Sequence, residues 1–342
     1  MSGRGSTSVE IARDPFEENG GRTLRWRARV LGASFEFTSN SRELLGIAKT
    51  AFADLPPHRL SRSTSGLLQV HLHYTRDRGA TPGGMPPQPV LSSGSGWLCG
   101  HIDARNFMIA DPRGSRAVVH VGDALLAHPR LLRYELIEFA AITLATRVQP
   151  LVSLHAGCVG GRGRGVLLLG SSGAGKSTFA LHAALGGLDF LSEDSVFVDP
   201  ETLEATGLSA FVHARDDSIP LIDDRRARRH AASAPCIERR SGARKREIDL
   251  RSVRARLAPE PLRIVAALVL SAQPGRDGSL LTRVSASQLR RVLRAEQSYA
   301  MGQPGWAEFE KRLLKTTGFQ LHRAPPAMGV AAVRELLDAG PA

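Results

Sequence analysis

The stretch Gly170-Ser171-Ser172-Gly173-Ala174-Gly175-Lys176-Ser177 has the residue types and spacing of a phosphate-binding loop. Its three glycines let the backbone curl so that successive N–H groups point inward at phosphate oxygens. Lys176 is the expected contact of the β- and γ-phosphates. The Ser177 hydroxyl is the expected ligand of Mg²⁺, and Thr178 extends the phosphate-binding set. ATP and Mg²⁺ are therefore the expected ligands.

Two acids, Glu193 and Asp194, follow in "FLSEDSVFV", seventeen residues after the start of the Lys176 segment. Phosphoryl transfer to a hydroxyl needs a carboxylate to orient it or take its proton, and a further ligand for the metal. Neighbours on a strand point to opposite faces, so both acids can serve only where the strand ends or bulges. Asp194 is a candidate metal ligand, and which acid is the base stays open. A second pair, Asp216-Asp217, is a weaker candidate. Arg215 beside it is a candidate for the nucleotide or the transferred phosphate, with Lys245 and Arg246 as lesser ones. Motors and switches end a late apolar strand in Asp; the late run "IVAALVLSAQPG" has no such acid. The early pair favours transfer over motion.

These side chains need elements to hold them. "GVLLL" reads as a buried strand running into the loop, and "KSTFALHAAL" as a helix leading out and stopping at Gly186-Gly187. The helix N-terminus adds partial positive charge at the loop. "LHAGCV", "LDFLSEDSVFVDP" and "RIVAALVLSAQPG" read as further strands, and 286–315 as mostly helical. Before Pro150 the pattern is mixed. Strands are expected in "TLRWRARVLGASFEFTS", "GLLQVHLHYT", "FMIADP" and "RAVVHVG". A helix is expected after an Asn40 or Ser41 cap and before Pro56, and a longer one over about 130–147. Residues 1–20 read as disordered and 77–96 as a loop. The expected layout is an α+β N-terminal region to 135 and an α/β nucleotide-binding domain over 136–330.

The chain has 342 residues, 42% apolar and 23% charged, enough for a packed core. Three cysteines without paired spacing argue against a disulfide framework or a zinc site. The absence of an apolar leader or a long apolar run points to a cytoplasmic protein away from membranes. Of the net charge of +12, much sits in residues 225–256, with twelve Arg or Lys against three acids. That segment reads as a solvated, mobile insert or as a site for an anionic partner. It has no Phe, Tyr or Trp, which disfavours nucleic acid.

The order "LHAGCV", "GVLLLGSSGAGKST", "GGLDFLSEDSVFV" resembles the catalytic domain of the HPr kinase/phosphorylase family over roughly 150–320, more loosely through "HARDDSIPLI" and "RKREIDL". The resemblance implies a fold related to phosphoenolpyruvate carboxykinase and Mg²⁺-ATP-dependent phosphorylation of a serine hydroxyl. It implies that His155 lies near the phosphates, that Glu193 is the first acid and base, and that Asp194 is the second acid. Ala156 stands where the family has Gly, Glu193 stands where it has Asp, and the signature that goes with HPr docking is absent. The chain is closer to the HPr-kinase-related proteins, some of which phosphorylate ribosomally made peptides such as lasso peptides. The expected partner is thus a serine-bearing peptide or protein, with homo-oligomerisation left open. The alternatives are a kinase for a small-molecule hydroxyl and a P-loop ATPase or nucleotide-binding regulator without an acceptor.

Overall fold

The computed structural model describes residues 23–63, 66–76, 84–208 and 210–339. The segment 1–20 and the first part of the 77–96 loop lie outside these. The structure is mixed α/β with mixed sheets.

The N-terminal half is a seven-stranded sheet. In spatial order its strands are Leu24–Val30, Ala33–Ser39, Leu67–Tyr74, Arg116–Val121, Phe107–Asp111, Trp97–His101 and Val90–Gly94. The second, third and fourth pair in parallel and the rest are antiparallel. The helix Arg42–Phe52 makes the crossover that the first parallel pair requires, capped by Ser41 Oγ accepting from Leu44 N. Phe37 stacks between Phe35 and Phe52 at centroid distances of 5.7 and 5.4 Å, joining sheet to helix. Val90–Gly94 falls in the stretch expected to be a loop. It pairs with Trp97–His101 because Ser95 and Gly96 both take positive φ, +52° and +85°, the two-residue turn that joins strands most tightly.

The expected long helix is a continuous helical stretch with an irregularity. Pro129–Leu132 runs into a π turn, Arg133–Glu138, and then into the α-helix Phe139–Val148. Leu132, Leu136, Ala140 and Leu144 pack in the same core as Phe35 and Val70. The boundary expected at 135/136 therefore falls inside an element that belongs to the N-terminal sheet. The chain changes core after Leu151, which packs in the first, and Val152 packs in the next.

The second sheet is centred on Arg164–Leu169 and Leu262–Leu270, which run parallel. Gly157–Gly161 and then Asp189–Ser192 extend it on one side. On the other, Glu204–Gly207 pairs with Leu262–Arg263, and Thr317–Leu321 pairs with Ala266–Leu270. Strand alternation sorts the sheet into two cores. Val166 and Leu168 pack with the helices Lys176–Leu185 and Pro326–Asp338; Leu167 and Leu169 pack with Ala286–Glu296 and Trp306–Leu313.

The basic segment 225–256 folds, contrary to its reading as a mobile insert. It forms the helix Arg225–Ser233 and the strands Cys236–Glu238 and Arg244–Asp249, which join Phe211–Ala214 in a three-stranded sheet. Ala227, Ala231 and Ile248 supply a buried face among the arginines. No helix of the described residues is long and apolar enough to cross a membrane.

Candidate functional site

The loop emerges at the end of the strand Arg164–Leu169, where the backbone requires glycine. Gly170 has φ +145°, and a Cβ there would stand 3.0 Å from Ala174 Cβ and 3.2 Å from the Leu270 carbonyl. Gly173 and Gly175 also take positive φ, +87° and +96°. The helix Lys176–Leu185 then starts without a side-chain cap, leaving its first amides free to meet an anion. Lys176 is 7% exposed and its Nζ donates to the Gly170 carbonyl. Burial lowers its pKa, partly offset by the charge of Asp194.

One cleft of about 2160 Å³ brings together most of the residues singled out in the sequence. Ser171, Ser172, Gly173, Gly175, Lys176, Ser177, Thr178, His155, Asp194 and Arg215 line it; Gly170 and Ala174 shape the loop from behind. Arg215 pairs with Asp217 at 2.9 Å, and Asp216 with Arg246 at 2.8 Å. Thr178 Oγ1 lies 2.9 Å from Ser218 Oγ, tying the loop helix to that segment.

The acid pair divides. The strand Asp189–Ser192 ends immediately before it, and the next strand, Val196–Val198, begins two residues beyond it. Asp194 turns into the cleft, 51% exposed at its side chain, with Oδ1 3.1 Å from His155 Nδ1. The hydrogen bond from His155 is the main cause that holds its pKa at about 2. Glu193 turns the other way. It is 5% exposed and does not line the cleft. Its Oε1 accepts from His213 N at 2.7 Å and meets His213 Nδ1 at 2.8 Å. Its expected role as base has no geometric support, because its carboxyl faces the interior. His155 is fixed by its backbone, which exchanges two hydrogen bonds with the Gln297 side chain, both 2.8 Å.

Behind Glu193 lies a buried polar network that the sequence did not signal. His213 Nε2 stands 2.8 Å from Tyr134 Oη, and Tyr134 Oη donates to Glu247 Oε1. Arg133 also binds Glu247 and stands 3.2 Å from Glu138. The π turn places Arg133 and Tyr134 side by side to reach these partners. Burial alone would lower the pKa of His213, but its bonds to Glu193 and Glu247 raise it. Glu247 is held at about 2: burial opposes ionisation, and His213, Arg133 and Tyr134 overcome it. Burial raises Glu138 to about 7.

A third wall comes from the basic segment. Arg239 and Lys245 line the cleft and lower the pKa of Asp194 through space. Arg240 grips both carboxylate oxygens of Glu135, at 2.5 and 2.6 Å, and donates to the carbonyls of Pro86 and Pro87. This fastens the hairpin turn to the N-terminal region. Among the described residues no group of three or more His, Cys, Asp or Glu side chains is placed to hold a metal ion. Ser177 and Asp194 nonetheless offer hard oxygen donors to one cleft. That suits Mg²⁺, which keeps waters and phosphate oxygens and needs few protein ligands. Cys99, Cys158 and Cys236 are free thiols.

No protein-family model matches the chain, and no curated protein matches it either.

Proposed function

We propose that this protein is an ATP- and Mg²⁺-dependent kinase that transfers the γ-phosphoryl group to the serine hydroxyl of a peptide or protein. The observation that carries the reading is that Lys176, Asp194 and His155 face one cleft at the mouth of a glycine loop. The order of His155, loop and early acid pair, which resembles the HPr kinase/phosphorylase family, supports it too. A fold related to that family is part of the proposal, as is a cytoplasmic setting, with which three free thiols agree.

In this reading the loop amides and Lys176 hold the phosphates, and Ser177 and Asp194 are the residues that would hold Mg²⁺. The metal, when bound, neutralises phosphate charge. Asp194 accepts a hydrogen bond from the acceptor hydroxyl and aims its oxygen at the γ-phosphorus. The new O–P bond forms as the bond to the β-phosphate oxygen breaks, ADP leaves, and the hydroxyl proton passes to Asp194. A carboxyl with a pKa of about 2 is a poor ground-state base, so Asp194 acts mainly by orientation and takes the proton late. His155 holds that carboxylate in place. Lys245 and Arg239, which act through space on Asp194, add positive charge for the group being transferred.

The test is incubation with Mg²⁺, γ-labelled ATP and a panel of serine peptides, each weighed by mass spectrometry. One added phosphate that disappears with Lys176→Ala supports the reading. Hydrolysis with every peptide unmodified would replace it with an ATPase.

A further inference from the structure

The half of the cleft farther from the loop is built from other parts of the chain. Met85, Pro129, Arg130 and Leu131 form one wall, and Ile237 and Arg239 face them from the hairpin. The register opposes His213 to Glu247 and Ile237 to Lys245. Opposed residues share a face and neighbours alternate, so His213, Glu247, Lys245 and Ile237 all lie on one side of the small sheet. Glu247 meets Tyr134 and Arg133 of the π turn, so this is the side turned toward the N-terminal wall.

That side carries two cations with no carboxylate in contact. Lys245 and Arg239 form no ion pair among the described residues, and both act through space on Asp194. Arg130, opposite, makes one long ion pair, its Nε 3.7 Å from Glu247 Oε2. Two of the nearby acids are engaged, Glu247 with Arg133 and Tyr134 and Glu135 with Arg240, and Glu238 also lines the cleft. Positive charge therefore extends from the transfer point at Asp194 toward the wall that holds Met85 and Leu131. Nucleic acid suits this surface poorly. The one aromatic ring on it, Tyr134, is covered by the Arg133 guanidinium 4.1 Å from its centroid, which leaves no stacking platform.

We infer that the half of the cleft lined by Arg130, Arg239 and Lys245 is the acceptor subsite and that it selects an extended peptide with acidic residues flanking the target serine. This rests on the kinase reading. Charge complementarity of this kind acts on partner choice and on-rate, and it weakens with salt.

The test uses the full chain with a non-hydrolysable ATP analogue and Mg²⁺. Fluorescence anisotropy follows three labelled probes: a serine peptide with Asp/Glu flanks, the same peptide with Gln flanks, and oligothymidylate. The acidic peptide is expected to bind about tenfold or more tighter than the neutral one, with the gap shrinking at high salt. Arg130→Gln is expected to narrow the gap about fivefold. Equal affinities, or oligothymidylate as the tightest probe, would overturn the inference. Phosphorylation of neutral and acidic peptides at equal kcat/KM would overturn it while leaving the kinase reading intact. Failure of the protein to bind the analogue or to modify any peptide would remove the kinase reading and this inference with it.

Discussion

Glu193 and Asp194 are adjacent in the chain and serve opposite sides of it: Asp194 stands 3.1 Å from His155 in the cleft, while Glu193 meets His213 at 2.8 Å in the interior. Their substitutions should separate accordingly. Asp194→Asn is expected to lower phosphoryl transfer by about 10²–10⁴ with little change in melting temperature. Glu193→Ala is expected to destabilise the fold by about 2–4 kcal/mol, because it removes the buried carboxylate that accepts from His213 N and meets its Nδ1. Transfer assays and chemical denaturation on the two variants check this pair of outcomes.

The buried network gives stability a direction with pH. His213 is raised above its ordinary 6.5. Its contribution is therefore complete below about 6.5 and is lost as pH rises through the folded value. Glu138 keeps a proton up to about 7 in the folded chain, whereas unfolded it releases one near 4.5. It too makes stability fall as pH climbs through that interval. Glu247, held at about 2, works in the other direction, and its contribution disappears between about 4.5 and 2. The melting temperature should accordingly peak on the acid side of neutrality and decline as pH rises through neutrality. His213→Gln should lower the peak and flatten the decline; an unchanged slope would remove His213 from the account.

Gly170→Ala tests the loop without touching a charge. The added methyl meets Ala174 Cβ and the Leu270 carbonyl at a φ that alanine rarely adopts. The expected result is at least about tenfold weaker binding of a fluorescent ATP analogue, with a cost in stability of about 1–3 kcal/mol. Lys176→Ala should lose nucleotide affinity with no comparable loss of stability.

The latch of the basic hairpin predicts a change in dynamics. Arg240 bridges to Glu135 and to the Pro86 and Pro87 carbonyls. Arg240→Ala should raise hydrogen exchange over Cys236–Glu238 and the following turn while leaving the strand Arg164–Leu169 protected. Equal exchange in both forms would show that the hairpin is held by its sheet alone.

Local patterns were legible in the sequence, and distant convergence was not. The strand, loop and helix around Lys176 follow from an apolar run, three glycines and a Gly-Gly stop, all within a few residues. The arginine-rich segment misled because its buried residues, Ala227, Ala231, Ile237 and Ile248, are small or isolated among charges. The π turn has no sequence signal, and the expected boundary at 135/136 falls inside it. Tyr134 joins residues 79 and 113 positions away in His213 and Glu247, and no spacing rule reaches that far. The acid pair was visible, but the division between Glu193 and Asp194 depends on where the strand stops.

The most direct measurement is a paired count: ADP formed and phosphoserine formed, in the same reaction with Mg²⁺-ATP and an acidic serine peptide. The account predicts one phosphoserine per ADP, both lost with Asp194→Asn. ADP accumulating with free phosphate and an unmodified peptide would contradict it.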